Sequence, residues 1–135
     1  MAKGLEIRAA HFPGRPPIDA YGAGGFRFAD MSHRGSILCL PSGVHGWDVS
    51  DAEDITQEAL ARVFEEADCI EVLLLGMGDE FRRVPKELQA ALREHGVVTD
   101  AMSTGSAVRT YNVLLAEDRA VAAALISVDD PGKRA

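Results

Sequence analysis

Arg109, Thr110 and Asn112 stand close together near the end of the chain, at a spacing that on a helix projects Arg109 and Asn112 from neighbouring positions. Arginine offers five N–H donors and no acceptor, while threonine and asparagine add donors and acceptors. A helix beginning at Thr104-Gly105 also leaves backbone N–H groups free, and such a set can hold a carboxylate or phosphate. Gly76 and Gly78, in LLLGMG, follow an apolar run at the strand end where open α/β sheets bind ligands, and glycine lets backbone approach the same space. Gly76, Gly78, Thr104, Arg109, Thr110 and Asn112 therefore form the candidate binding pocket. No base or nucleophile stands beside them, so the pattern points to binding rather than bond making, and no catalytic residue is assigned. The competing structural reading pairs Arg109 with an internal carboxylate, Asp100 or Asp79, and turns Asn112 to loop carbonyls.

Other chemistries find less support. A dinucleotide fingerprint starting at Gly76 would need glycine where Phe81 stands, and Gly22-Ala23-Gly24 lacks the continuation. There is no P-loop and no G-x-S-x-G elbow, and no cofactor is expected. His11, His33, His45 and His95 form no H-x-x-x-H pair and are read as surface or helix-end residues, with no metal assigned. His45 and Asp48 flank Trp47, which reads as a loop anchored by a buried indole. Two of the lysines, Lys3 and Lys133, lie near the termini, and Lys86 falls at a helix start, so a Schiff-base lysine is not indicated. Cys39 and Cys69 sit in apolar runs without C-x-x-C spacing and are expected to be buried free thiols.

The elements that must position these residues follow from patterning. Residues 104–116 place Ala107, Val108, Tyr111, Leu114 and Leu115 on one side at helical spacing, with Ser103 or Thr104 as cap. Opposite that stripe lie Gly105, Arg109, Asn112 and Ala116, with Val113 close by, a face whose small and polar residues suggest that something packs there. Residues 120–128, AVAAALISV, are apolar on both alternating faces, as in a strand covered on both sides. Upstream, residues 56–67 read as a helix after a capping box of Ser50 and Glu53, with Asp51 or Asp54 as alternative caps, 70–75 as a strand, 85–95 as a helix stopped by Gly96, and 97–101 as a strand. The N-terminal part reads as sheet: a strand at 5–10, a Pro- and Gly-rich loop at 11–17, strands at 18–21 and 26–29, a turn at 32–35, and a strand at 36–40 ended by Pro41-Ser42-Gly43. Alternating helix and strand from residue 56 onward specify a single α/β domain of three layers, with a mixed central sheet flanked by helices, a core over about residues 5–128 and frayed tails.

Charge and length set limits. A net charge of −7 over 135 residues disfavours nucleic acid and anionic membranes as partners. The longest apolar run falls far short of the roughly 20 residues of a membrane helix. Glu6 and Arg8 interrupt the start where a secretory signal would need an apolar core. A cytoplasmic location is expected.

The motif residues Tyr21, Gly22, Gly24, Gly25 and Phe26 in IDAYGAGGFRF, GSILCLP at 35–41, Trp47, Gly76 and Gly78, and Met102, Thr104, Gly105, Arg109, Thr110, Tyr111 and Asn112 together resemble a small family of mostly uncharacterised proteins. That family includes mitochondrial NADH:ubiquinone oxidoreductase complex assembly factor 3 and its bacterial and archaeal relatives. The resemblance covers about residues 18–126 and implies a compact three-layer fold and a noncatalytic interaction or assembly function, with a protein partner. The start of the chain shows no transit-like extension, and a bacterial-type member is therefore expected. A homodimer through Val113 is a further expectation. The alternative is a small anionic ligand-binding protein or enzyme using the pocket near Gly76, Gly78, Arg109 and Asn112.

Overall fold

The computed structural model describes residues 11–129; the strand expected at 5–10 lies outside them. The strands are β1 (His11–Phe12), β2 (Ala20–Gly22), β3 (Gly25–Phe28), β4 (Met31–Arg34), β5 (Ser36–Leu40), β6 (Gly43–Trp47), β7 (Val72–Gly76), β8 (Val98–Met102) and β9 (Val121–Leu125), and the helices are α1 (Ala61–Glu65), α2 (Lys86–Glu94) and α3 (Thr104–Ala116). Six strands form one sheet in the order β1-β6-β5-β9-β7-β8, and β2-β3-β4 form a second, smaller one. In the large sheet β7 runs parallel to both β8 and β9, whereas β5 is antiparallel to β9. The α/β class and the mixed sheet are as the sequence specifies.

The two crossovers explain why both faces of the large sheet are covered. From β7 the chain passes through α2 to β8 on one side, then returns through α3 to β9 on the other side of β7. Crossovers between parallel strands are right-handed, so two that travel in opposite directions across a sheet carry their helices to opposite faces. Leu88 and Leu92 of α2 accordingly pack with Leu73, Leu75, Ala122 and Ala124 in one core cluster. Ala107, Val108 and Tyr111 of α3 pack with Leu74, Val121, Ala123 and Leu125 in the other. Every residue of β9 is buried, as its two apolar faces require.

The C-terminal half matches its pattern closely. Ser103 caps α3, its side chain accepting from the Ser106 N–H, and Gly96 follows α2 with φ of 82°, the left-handed stop that glycine tolerates best. The helix expected at 56–67 is shorter: Thr56 Oγ1 accepts from the Ala59 N–H at 3.1 Å, the α-helical part is Ala61–Glu65 and a 3-10 turn follows at Ala67–Cys69. Of the caps the sequence offers, Asp51 is the one used: it caps the preceding 3-10 turn, accepting from the Glu53 N–H.

The N-terminal half differs more. Residues 32–34 are not a turn but belong to β4, because the chain reverses earlier, at Ala29 and Asp30, both at positive φ of 50° and 62°. Two such residues in a row make the hairpin turn whose twist suits flanking strands, here built without glycine. Pro41 and Ser42 do not end the sheet; they connect β5 to β6, which pair from Ser36↔Trp47 to Leu40↔Gly43. Trp47 thus sits on a strand rather than in a loop. His11 and Phe12, assigned to a loop, pair with β6 as its outer neighbour.

Candidate functional site

Thr104 is wholly buried at the first position of α3 and joins three elements. Its hydroxyl donates to the Ile126 carbonyl at 2.7 Å and accepts from the Gly78 N–H at 3.0 Å. The Thr104 N–H donates to the Gly78 carbonyl at 2.9 Å, and the Ile126 N–H donates to the Gly76 carbonyl at 3.0 Å. The ends of β7 and β9 and the start of α3 are thereby tied in one clip. Glycine at 76 makes the approach feasible, since a Cβ there would stand 2.9 Å from Leu125 Cδ2 and 3.1 Å from Thr104 Cα. Gly78 turns the chain at φ of 99°, a backbone region that favours glycine.

The other motif residues lie elsewhere on α3. Asn112 is half-buried and spends its amide on one residue: Oδ1 accepts from the Ile18 N–H and Nδ2 donates to the Ile18 carbonyl, each at 2.9 Å. The Tyr21 hydroxyl abuts the Cα of Gly105, where a Cβ would overlap it. The small and polar side of α3 is therefore the side on which β2 and the segment leading into it are packed. Arg109 is exposed, and its guanidinium reaches the Ser106 hydroxyl at 3.4 Å rather than Asp100 or Asp79. Thr110 is half-buried on the same helix. Gly76, Gly78 and Thr104 thus share one place, while Arg109 and Asn112 occupy two others along α3.

Among the described residues, cavities lie at several places on the sheets. One of about 330 Å³, at the carboxyl ends of β7 and β9, is lined by Gly78 with Asp79, Glu80, Arg82, Ser127 and Asp129 among others. A second, of about 520 Å³, lies along the small sheet and includes Tyr21, Arg27, His33, Arg34 and Asp129. A third, of about 200 Å³, is bordered by His11, His33 and His45 together with Phe12, Phe28 and Met31.

His45 is a residue that spacing misplaced: it is buried, not at the surface. Its ring stacks on His11, with centroids 4.2 Å apart and planes inclined by 13°, because β1 pairs His11 directly opposite His45. Burial, and then the charges of His11 and Arg62, lower its pKa to about 4 against the opposing pull of Glu66, so the imidazole is neutral near pH 7. The Ser42 hydroxyl stands 2.8 Å from His45 Nε2 and donates to Glu66 Oε2 at 2.6 Å. With its proton directed to Glu66, the serine oxygen is left to accept a hydrogen bond from His45 Nε2–H. In a nucleophilic relay the histidine occupies the middle place and accepts from serine, so His45 is not placed as the base for Ser42. Trp47 is buried, with Nε1 donating to the Ala59 carbonyl at 2.8 Å.

A second polar cluster lies under the sheet. Arg15 reaches across to donate to the Val121 carbonyl at 2.7 Å, and the buried Tyr111 hydroxyl lies beside Cys39 and Arg15. Burial pushes the Cys39 thiol up to about 12, which keeps it protonated and unreactive. Tyr111 is also raised, first by burial and then by Cys39. Cys69, expected to be buried, is exposed, because in the 3-10 turn Ala67 and then Ile70 take the inward positions. Among the described residues no three His, Cys, Asp or Glu side chains converge on a metal position.

Comparison with known proteins places this geometry. Residues 18–126 match the family described as "Protein of unknown function (DUF498/DUF598)". The chain belongs to this family. An uncharacterized protein of Rhodobacter capsulatus is 42% identical over 122 residues, spanning 90% of this chain and 93% of that protein. The mouse protein named NADH dehydrogenase [ubiquinone] 1 alpha subcomplex assembly factor 3 is 30% identical over 131 residues, 97% of this chain and 70% of its own length. Among solved structures, a Bartonella henselae protein described as an outer membrane protein superposes with a TM-score of 0.85 at 64% identity, covering 88% of this chain and all of that one. The DUF498/DUF598 span opens at Ile18, whose backbone is held by Asn112, and closes at Ile126, whose backbone is held by Thr104 and Gly76. Two polar residues of the C-terminal motif therefore fasten the two ends of the family domain.

Proposed function

We propose that the chain is a noncatalytic interaction protein that assists assembly of the NADH:ubiquinone oxidoreductase complex. The observation that carries this reading is the kinship, over 97% of the chain, to a protein named as an assembly factor of that complex. The chemistry of the motif supports it. The Thr104 hydroxyl and the Asn112 amide are engaged by internal backbone, and Ser42 is oriented away from nucleophilic use. Such residues brace the fold rather than form a reaction centre. Its partner is a protein, and its place of action is the cytoplasm. Affinity isolation of the tagged chain from its native host under mild detergent tests the partner. Enrichment of subunits of the complex over a mock isolation is expected, and their absence from the isolate would count against the proposal. Cell fractionation tests the location, with recovery in the outer membrane as the opposing result.

A binding role for Gly76, Gly78, Thr104, Arg109, Thr110 and Asn112 is a separate proposal. Arg109 is the member whose charged group faces solvent, so Arg109→Ala is its test. Loss of partner or anion binding with an intact fold supports the role, and unchanged binding removes it.

A further inference from the structure

The outer face of the small sheet carries two arginines that the reading above leaves without a task. Arg27 lies opposite Ser32 and Arg34 opposite Gly25, and residues two apart on a strand share a face, so both guanidinium groups project to the same side. Diagonal neighbours of this kind are roughly 7–8 Å apart, close enough for two long side chains to converge on one oxyanion. Both residues are exposed, and both line the cavity of about 520 Å³, a volume within the range of small-ligand sites. The space between them is open because the neighbouring positions on β2 and β4 carry Ala20, Gly22 and Ser32.

The local charge is opposite to that of the whole. In a chain of net charge −7, this face presents two fixed cations, and among the described residues the one ion pair is Arg119–Glu71, far from them in sequence. Asp129 borders the same space, held there as the Ala23 N–H donates to its backbone carbonyl at 2.7 Å. Its Oδ1 and Arg34 Nη1 stand 3.8 Å and 4.0 Å from the point where a Cβ on Gly24 would be. One carboxylate against two guanidinium groups leaves an excess of positive charge in a cavity whose floor on β2 is Ala20 and Gly22.

We propose that this face binds a small organic anion, its carboxylate or phosphate group held between Arg27 and Arg34 and its apolar body lying over Ala20 and Gly22. The planar fork of arginine matches the oxygens of either group. The low side-chain relief of the platform suits a flat body such as a ring. This goes beyond the assembly role and stands or falls independently of it.

The test is a titration of the full chain, followed by amide ¹H–¹⁵N spectra, with phenyl phosphate, benzoate and inorganic phosphate. Saturable shifts confined to residues 20–22, 27 and 32–34 are expected, with an aromatic anion binding more tightly than inorganic phosphate. Phenyl phosphate ahead of benzoate would identify a phosphate site, and the reverse a carboxylate site. Arg27→Gln and Arg34→Gln, checked by their spectra for an intact fold, should each weaken binding about tenfold, equivalent to about 1.4 kcal/mol, while Arg93→Gln on α2, across the large sheet, should not. No shifts, shifts that persist in both variants, inorganic phosphate binding as tightly as the aromatic anions, or a response to an acidic peptide alone would each overturn the proposal.

Discussion

Replacing Thr104 with valine removes one hydroxyl and changes almost nothing else in size. In the folded protein that hydroxyl donates to the Ile126 carbonyl and accepts from the Gly78 N–H, in a region where Thr104 and both partners are buried. The neighbouring bonds, Thr104 N–H to Gly78 carbonyl and Ile126 N–H to Gly76 carbonyl, survive the change, so the local geometry holds and water gains no easy entry. A backbone donor and a backbone acceptor are then left without partners, each costing about 1–3 kcal/mol, offset in part by the added apolar surface of valine. Thr104→Val should destabilise by about 2–4 kcal/mol, a large share of the roughly 5–15 kcal/mol of a typical domain. Thr104→Ser retains the hydroxyl and deletes one buried methyl, with a loss of about 1 kcal/mol. Urea unfolding of the three proteins, with unchanged dependence on denaturant, measures both. A valine variant within about 0.5 kcal/mol of the parent, or more stable than the serine variant, would refute the clip.

Ala123 is fully buried against the α3 side of the sheet, so Ala123→Asp should destabilise by several kcal/mol, on the order of an unpaired buried charge, and a loss under about 0.5 kcal/mol in chemical denaturation would contradict its burial. His45 has a pKa lowered to about 4 from 6.5. The folded state therefore resists protonation: the stability is fully present above pH 6.5 and is lost as pH falls toward 4, by roughly 2 kcal/mol once solvent access to the ring pair is allowed for. His45→Gln should flatten that acid limb, and identical limbs for the two proteins would remove the assignment. Val113 is 55% exposed on the outward side of α3; if it seats a homodimer, Val113→Asp should convert dimer to monomer in light scattering, and a monomeric parent at high concentration removes that expectation.

Legibility in the sequence followed the range of the interactions. Helix α3 is read to its observed ends because its signals are local, with Ser103 as cap and the apolar stripe from Ala107 to Leu115. Strand β9 is similarly plain, since burial on both faces leaves no polar position in Val121–Leu125. Strand β4 is obscured because its turn uses Ala29 and Asp30 at positive φ where glycine or asparagine would have announced it. Strand β6 is obscured by Gly43 and Gly46, which dilute its alternation. The site residues are visible as types but not as partners. Asn112 and Ile18 are 94 positions apart, and Thr104 meets Gly78 and Ile126 only through the crossovers. Spacing singles out polar groups on a helix; it does not say whether they turn to a ligand or to backbone. Arg27 and Arg34 escape notice for the same reason, because only the register of β3 with β4 sets them on one face.

The assembly role is tested most directly by deleting the gene in its native host and quantifying intact NADH:ubiquinone oxidoreductase on native gels stained for NADH oxidation. A marked fall in the assembled complex, restored by re-expression of the chain, is predicted from the kinship to a protein named as its assembly factor. An undiminished complex in the deletion strain would contradict it.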